Sequence, residues 1–486
     1  MGAVALHKAR FAKRHELAEL VHEAPCQDGV LLGTRKEWLL FKRYVVVRPT
    51  EKRREIGNTL IVAPTRGGKG LLAISQLLSW KYSVIVNDIK GELFQATAGY
   101  RSTLGKVYVI DPTGVGHCYD PLQEKKTEDA LLSAATHLLY QAEEGEGRIF
   151  TQRASVMLSQ LFAAAKLEGA APLPYARQSI RLGLSACAAR LHAVSPELAT
   201  QFLDVQYQDA NFSDRFLLFS WGTLTARMRP LLTETVVRCF THSDFTAEQM
   251  MRSKTPVTVY LRWKEQDLLA LSPLVRLLWG SLINELITTY DDNQGQDCQP
   301  VLLLIDEAGR TAIPSLADHA TTVVGRGISL WIAMQSLSQL EAAYGKARAQ
   351  VLRDNMENQI YHRPTDLSTA QYLELRCGKQ SAYAHSTTER EGVETSEGLS
   401  EQPIPLLTAQ EIMQLRDEDI ICFHRRLPPF KISRMDWRTH PTLTQRRNLP
   451  APQLSSLPTV ADRPMERIQR ETFRFPNGYI DPDMVN

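Results

Sequence analysis

Paired cysteines, a secretion signal and a long apolar run are all missing from this 486-residue sequence, and each absence removes a class of protein. The seven cysteines are scattered from Cys26 to Cys422, odd in number and without a C-x-x-C pair. That pattern argues against a disulfide framework or a zinc knuckle, and for a reducing compartment. The opening MGAVALHKARFAKRH turns polar within about seven residues, too soon for the apolar core of a signal peptide. No window reaches the roughly 18 apolar residues of a membrane span, so the chain reads as soluble and cytoplasmic. Charge of one sign is scarce too: 56 Lys and Arg stand against 54 Asp and Glu, a net +2. Any polyanion site must therefore come from local clustering. Basic residues do gather early, at Lys8, Arg10, Lys13, Arg14, Arg35, Lys36, Lys42, Arg43, Arg48, Lys52, Arg53 and Arg54, where such runs are most often solvated surface. No internal repeat and no interleaving of aromatic and basic residues stands out.

What is present is ordinary globular material, 43% hydrophobic and 23% charged, enough for two or three domains with substantial cores. Short apolar runs recur at TLIVA (59–63), SVIVN (83–87), KVYVI (106–110), PVTVYL (256–261), VLLLID (301–306), SLWIAM (329–334) and DIICF (419–423). Runs without alternation suit strands covered on both faces, so the expected fold is α/β with a doubly wound, mostly parallel sheet. Between the third and fourth runs lie EDALLSAATHLLYQA, FTQRASVMLSQLFAAAKLE and QSIRLGLSACAARLHAV, each with apolar residues at helical spacing. They read as a helical insertion, with long crossover helices as the alternative. The division expected is a basic N-terminal segment over 1–56, sheet domain over 57–127 and 251–440, all-helical insertion over 128–250, and a Pro-rich, loosely packed tail over 441–486.

One stretch supplies strand, glycine turn and helix start in the order a phosphate-binding loop needs. After TLIV comes APTRGGKG, then a helix with Leu71, Leu72, Ile74, Leu77 and Leu78 as its buried stripe. Backbone N–H groups at such a turn, with the positive end of the helix dipole, hold phosphates. Measured against G-x-x-x-x-G-K-[ST], Ala63 replaces the first glycine and Gly70 the hydroxyl residue that ordinarily ligates Mg²⁺, while Gly68 and Lys69 match. Pro64, Thr65, Arg66, Gly67, Gly68, Lys69 and Gly70 are the nucleotide-binding candidates. VLLLIDEAG ends an apolar strand in two carboxylates, Asp306 for metal and Glu307 to activate water. Gln335 follows the next run, at the strand end where ligands of an open α/β sheet gather, and is read as the γ-phosphate sensor. Arg326 is either an arginine finger aimed at a neighbouring subunit or a solvated loop residue. Asp88, in NDIKGELF, is either a nucleotide-site carboxylate or part of a charged turn.

Taken together, these motifs resemble the conjugative coupling proteins of type IV secretion, the TraG-like and TraD-like ATPases. The resemblance rests on APTRGGKG, KYSVIVNDIKGELFQATAGYR, VIDPTGVGHCYDPL, SDFTAEQM, LSPLVRLLWGSLI, LLLIDEAGR, MQSLSQLEAAYG and LLTAQEIMQLRDEDIICFHRRLPPFKISRMDW, in the family's order over roughly 57 to 445. It implies a RecA-like P-loop NTPase with an inserted all-helical domain, using ATP and Mg²⁺ as a homo-hexamer. The substrate implied is single-stranded DNA or a relaxase–DNA complex, moved toward a type IV secretion channel at the inner face of the cell membrane. A loop ending in glycine resembles the TraG-like branch, and the resemblance also raises Arg326 as the trans-acting arginine and Gln335 as the sensor. Family members usually carry N-terminal transmembrane helices that this sequence does not show, so membrane association is expected through a partner or a missing anchor. Competing expectations are a nucleotide-gated adaptor with little turnover and a chromosome-pumping motor of the FtsK/HerA kind.

Overall fold

Runs that are apolar at every position need cover on both faces, and the chain provides it. The computed structural model describes residues 8–37, 41–50, 55–140, 147–310, 313, 315–390 and 393–458. Lys52, Arg53, Arg54 and the tail from 459 onward lie outside the described residues. The first elements are β1 (Val21–His22), β2 (Val30–Glu37), β3 (Phe41–Val47), β4 (Thr59–Val62), α1 (Lys69–Ser79), β5 (Ser83–Asp88), α2 (Glu92–Leu104), β6 (Lys106–Asp111) and β7 (Val115–Gly116). Helices alone follow: α3 (Glu128–Leu139), α4 (Gly147–Leu167), α5 (Pro172–Arg181), α6 (Leu184–Val194), α7 (Pro196–Leu203), α8 (Arg215–Met228), α9 (Glu234–Arg238) and α10 (Ala247–Arg252). The chain then returns through β8 (Val257–Arg262), α11 (Leu268–Asp292), β9 (Val301–Ile305), α12 (Leu316–Thr322), β10 (Ile328–Met334), α13 (Leu337–Tyr344), α14 (Lys346–Asp354) and β11 (Asn358–His362). It closes with α15 (Leu367–Cys377), β12 (Lys379–Arg390), β13 (Val393–Pro405), α16 (Ala409–Met413), β14 (Asp419–His424), β15 (Phe430–Ser433) and α17 (Pro441–Arg447).

Among the described residues, thirteen strands form one sheet in the order β1-β3-β2-β15-β14-β11-β4-β10-β9-β5-β8-β6-β7, and β12 pairs with β13 separately. The block from β11 to β6 is parallel throughout, and the flanks pair antiparallel. Side chains along each central strand alternate between two cores, as the two-residue period of a strand requires. Leu303 and Ile305 face the core shared with α11 and the inserted helices, whereas Leu302 and Leu304 face the core shared with α1, α2 and β2–β3. This is the α/β architecture expected.

Four details differ from expectation, each for a physical reason. β2 and β3 pair antiparallel within the main sheet rather than forming a plain basic segment, because Val30, Leu31, Val45 and Val46 are fully buried. Gln76 of α1 fastens that pair by accepting from the Leu31 amide at 2.8 Å and donating to the Gly29 carbonyl at 3.1 Å. The start of the Pro-rich tail is packed, not loose: α17 buries Leu443, and Arg446 donates to the Leu78 carbonyl while its guanidinium lies 4.4 Å over the Tyr100 ring. QSIRLGLSACAARLHAV is two helices, broken where Gly183 takes φ +84°. Finally, α11 is long and apolar enough by composition to cross a membrane, yet 56% of its apolar window is buried inside the protein, with Leu274, Leu278 and Leu282 fully so.

Candidate functional site

Three consecutive parallel strands bring the chemistry to one edge. β4, β10 and β9 lie side by side, and the residues that follow them are the glycine loop, Gln335 and the Asp306–Glu307 pair. The Ala63 amide donates to the Met334 carbonyl at 2.9 Å and the Ala308 amide to the Ala333 carbonyl at 3.0 Å, extending the pairing past the strand ends. Ala63 is thus buried strand backbone with no positive φ, so the first glycine of the pattern is not needed there. Glycine is needed at Gly68, which has φ +105° and where a Cβ would stand 3.0 Å from Nη1 of Arg434. Arg66 also takes φ +64°, and the Gly67 amide closes the turn on the Pro64 carbonyl at 2.8 Å. Pro64 is half-buried and Thr65 exposed. α1 begins at Lys69; the Leu71 and Leu72 amides bond the Gly68 carbonyl at 3.1 and 3.3 Å, and the Lys69 and Gly70 amides ahead of them have no acceptor within the helix. At Gly70 a Cβ would meet nothing within 4 Å.

Lys69 is the centre of the site. Its Nζ donates to Glu307 Oε1 at 2.5 Å and forms an ion pair with Asp306 Oδ1 at 3.2 Å. Gln335 Nε2 donates to Glu307 Oε2 at 3.2 Å, and Thr65 Oγ1 donates to Gln335 Oε1 at 3.3 Å. Burial raises the Asp306 carboxyl, and neither the Lys69 charge nor its hydrogen bond fully offsets it. At Glu307 burial also works upward, but Lys69 and the Gln335 amide outweigh it and hold the carboxyl below its ordinary value. Glu307 has φ +60°, a strained conformation for a side chain with a Cβ, of the kind that clusters at active sites. One ammonium is therefore shared by two carboxylates of opposite tendency at the mouth of the glycine loop.

Two candidates are placed elsewhere. Asp88 is buried at the end of β5 with its oxygens turned to the Phe94 and Leu93 amides, at 2.7 and 3.4 Å, so it caps α2. Burial pushes its carboxyl up to about 6, against the pull of those amides and of Arg262. Arg326 precedes β10, at the opposite end of the parallel strands from the glycine loop. The strand runs from Ile328 to Met334, and at ~3.3 Å per residue it puts Arg326 roughly 20 Å from the Lys69 cluster. There Arg326 forks Asp291, Nε to Oδ1 at 2.7 Å and Nη2 to Oδ2 at 2.8 Å.

Arg434 and His362 were not among the residues singled out from sequence. Arg434 Nη1 donates to the Gly67 carbonyl at 3.3 Å, 367 residues away along the chain. His362 ends β11, one residue past the Tyr361–Val62 pair and opposite Ile420, almost fully buried, with neither ring nitrogen in hydrogen-bond geometry with a partner among the described residues. Burial pushes it down to about 4, so it is neutral beside the loop. Asn87 Nδ2 donates to the Asp306 carbonyl at 3.0 Å and fixes the backbone that presents the carboxylate. The available signal was positional: each of His362 and Asn87 ends or nearly ends a strand neighbouring the site.

Comparisons with known proteins agree with this geometry. The family model described as "Type IV secretory system Conjugative DNA transfer" matches residues 29–181 and 220–459. Protein VirD4 of Rhizobium radiobacter is 27% identical over 477 residues, covering 93% of this chain and 66% of that protein. Conjugal transfer protein TraG of Escherichia coli is 27% identical over 400 residues, covering 74% of this chain and 61% of that protein. The chain thus spans less than two thirds of the length of these curated relatives. Among solved structures, the conjugative coupling protein TrwBdeltaN70 in complex with sulphate superposes with a TM-score of 0.64 at 15% identity, over 94% of this chain and 97% of that one. TrwB in complex with ADP and Mg²⁺ gives 0.63 at 17% identity, over 94% and 97%. At such identities the likeness is one of fold. The matched family model covers most of the chain, including the glycine loop, the carboxylate pair and Gln335, and on that match the chain belongs to the type IV secretory system conjugative DNA transfer family.

Proposed function

We propose that this chain is an ATP-hydrolysing motor of a conjugative coupling apparatus. It delivers single-stranded DNA or a relaxase-linked strand to a type IV secretion channel, as a homo-hexamer at the inner face of the cell membrane, held there by a partner or an anchor. The observation that carries the reading is the Lys69 ammonium bridging Asp306 and Glu307 at the mouth of the glycine loop. The names of the relatives and the TrwB complexes with ADPNP and with ADP and Mg²⁺ support it.

The residues fit a nucleotide with its metal. Asp306 has a buried oxygen whose only cation among the described residues is Lys69, and open space lies beside Gly70. Asp306 would hold Mg²⁺, since Gly70 offers no hydroxyl to do so. Mg²⁺, when bound, neutralises phosphate charge. Lys69 is the point charge for the β and γ phosphates, and the amides of Gly67 to Gly70 cradle them. Once Lys69 turns to the phosphates, Glu307 is released to accept a proton from water, with Gln335 orienting that water. The water oxygen bonds to the γ phosphorus, the bridging P–O bond breaks, and ADP and phosphate leave. Arg326 is too far from this loop to act within its own chain, so its role is across a subunit boundary. Asp88 supports the edge by capping α2 rather than by touching nucleotide.

Gly70 favours the second reading, an adaptor that binds ATP and recruits cargo with little turnover. Steady-state hydrolysis with and without single-stranded DNA separates the two, followed by displacement of a protein block from the DNA end. The motor gives many turnovers per chain, stimulated by DNA and falling steeply with salt; the adaptor gives at most one.

A further inference from the structure

The inserted helices leave and rejoin the sheet domain through one neck, where outgoing residues 117–120 run beside returning residues 239–245. Backbone bonds zip the two together: the Tyr119 amide donates to the Cys239 carbonyl at 2.8 Å, and the Asp244 amide to the Cys118 carbonyl at 3.0 Å. The Cys118 amide adds a bond to Asp244 Oδ2 at 2.7 Å, and the Asp120 amide one to Ser243 Oγ at 3.1 Å. Tyr119 and Phe245 stack behind them with ring centroids 5.0 Å apart.

On this neck a thiol, an imidazole and a carboxylate converge. Donor atoms of Cys118, His242 and Asp244 lie within 4.8 Å of one another. His242 Nε2 is 3.2 Å from Asp244 Oδ1, and its Nδ1 is 2.9 Å from Thr241 Oγ1. With Nδ1 held by Thr241, Nε2 is the nitrogen turned to Asp244, and a metal would take the place of that Nε2–Oδ1 contact; an outer partner of this kind fixes the tautomer of a ligating histidine. Burial raises the Cys118 thiol, whose Sγ donates to the Arg238 carbonyl at 3.2 Å; Thr241 Oγ1 donates to Sγ at 3.5 Å and works the other way, and a metal would displace the thiol proton.

We propose that Cys118, His242 and Asp244 form a binding site for a zinc-class divalent cation, with water in the fourth position, that clamps the two crossings of the neck. Sulfur, nitrogen and oxygen donors together suit Zn²⁺ and are poor company for Mg²⁺. Tetrahedral bonds of ~2.0–2.3 Å require donor separations of roughly 3.3–3.8 Å, so closure takes shifts on the order of an ångström. On binding, the Cys118 thiol proton and any proton between Nε2 and Oδ1 go to solvent, and the metal takes their place. The site is not a zinc knuckle: residues 118 and 242 are far apart in sequence, and the excursion through the inserted helices brings them together.

The test uses the full chain, stripped of metal and without nucleotide, titrated with Zn²⁺ by calorimetry and with Co²⁺ by absorption. One Zn²⁺ per chain is expected, together with a near-ultraviolet thiolate-to-cobalt band that excess Zn²⁺ removes. Cobalt held at Asp306 has no sulfur ligand and gives no such band. Cys118→Ser and His242→Ala are each expected to weaken Zn²⁺ binding about 100-fold or more, with Cys118→Ser abolishing the band, whereas Cys298→Ser, a half-exposed thiol off the neck, changes neither. Because the His242 ring is exposed, His242→Ala decides the matter should Cys118→Ser not fold. A wild-type chain without the thiolate band overturns the proposal, and so does Zn²⁺ affinity unchanged in His242→Ala.

Discussion

The two ends of the parallel strands carry cations in opposite states. At the carboxyl end, Lys69 is shared by two carboxylates that burial treats differently, next to a strained Glu307 and an uncharged His362. At the amino end, Arg326 is matched one to one with Asp291 in a bidentate, partly exposed fork. The first arrangement is poised to change when phosphates arrive, because one ammonium cannot serve two carboxylates and a triphosphate. The second is complete in itself and of modest strength in water. It is suited to opening toward a neighbour's nucleotide, since an exposed fork costs little to break. The difference separates the residues that act within a chain from the one proposed to act between chains.

The largest expected effect comes from removing the shared cation. Lys69→Ala should abolish measurable nucleotide binding by fluorescence titration and turnover with it, leaving Asp306 and Glu307 to repel phosphate. Next is Arg326→Ala, for which hydrolysis should fall about 1,000-fold, in the range of a lost arginine finger, with nucleotide affinity nearly unchanged. Mixing Arg326→Ala with Lys69→Ala chains should restore hydrolysis, because one supplies the loop and the other the arginine at shared boundaries. Mixtures that stay dead break the proposed division between the two ends.

A smaller effect concerns the buried histidine. His362 stays neutral when folded down to about 4, whereas the unfolded chain takes up its proton near the ordinary 6.5. Stability is therefore unaffected by this group above 6.5 and is lost as pH falls from there toward 4. His362→Leu removes that loss. The urea-unfolding difference between variant and wild type should shift in the variant's favour by about 1.4 kcal/mol per pH unit across that window, on the order of 3 kcal/mol in all. The smallest effect is expected from Gly70→Ser. With nothing within 4 Å of the added Cβ, the loop should keep its shape, while the Mg²⁺ concentration for half-maximal hydrolysis falls a few-fold.

The central strands were legible because burial on both faces leaves nothing polar in them: β4, β5, β9 and β10 each stand where an apolar run predicts. β11 was hidden by its composition. Its Asn358 and Gln359 look like loop residues, yet both are buried and bonded, Asn358 Nδ2 to the Ile56 carbonyl and Thr59 Oγ1, and Gln359 Nε2 to the Met356 carbonyl. β2 and β3 were hidden by Arg35, Lys36, Lys42 and Arg43, which interrupt the apolar pattern on both faces. Lys69, Asp306, Glu307 and Gln335 were legible as one cluster because each directly or closely follows a strand, and the parallel sheet delivers such positions to one edge. Asp88 follows a strand as well, but Gly91 starts a helix three residues later and its amides capture the carboxylate. Arg434 was illegible, since its partner Gly67 is brought to it only by the antiparallel flank.

The central claim is that the Lys69–Asp306–Glu307 cluster is an ATP-hydrolysing site with Glu307 as the proton acceptor. Turnover at saturating ATP and Mg²⁺, measured beside nucleotide affinity for wild type and Glu307→Gln, tests it most directly. The account predicts multiple turnovers in the wild type and a loss of about 10²–10⁴-fold in the variant, with nucleotide still bound. Equal turnover in the two proteins would contradict it.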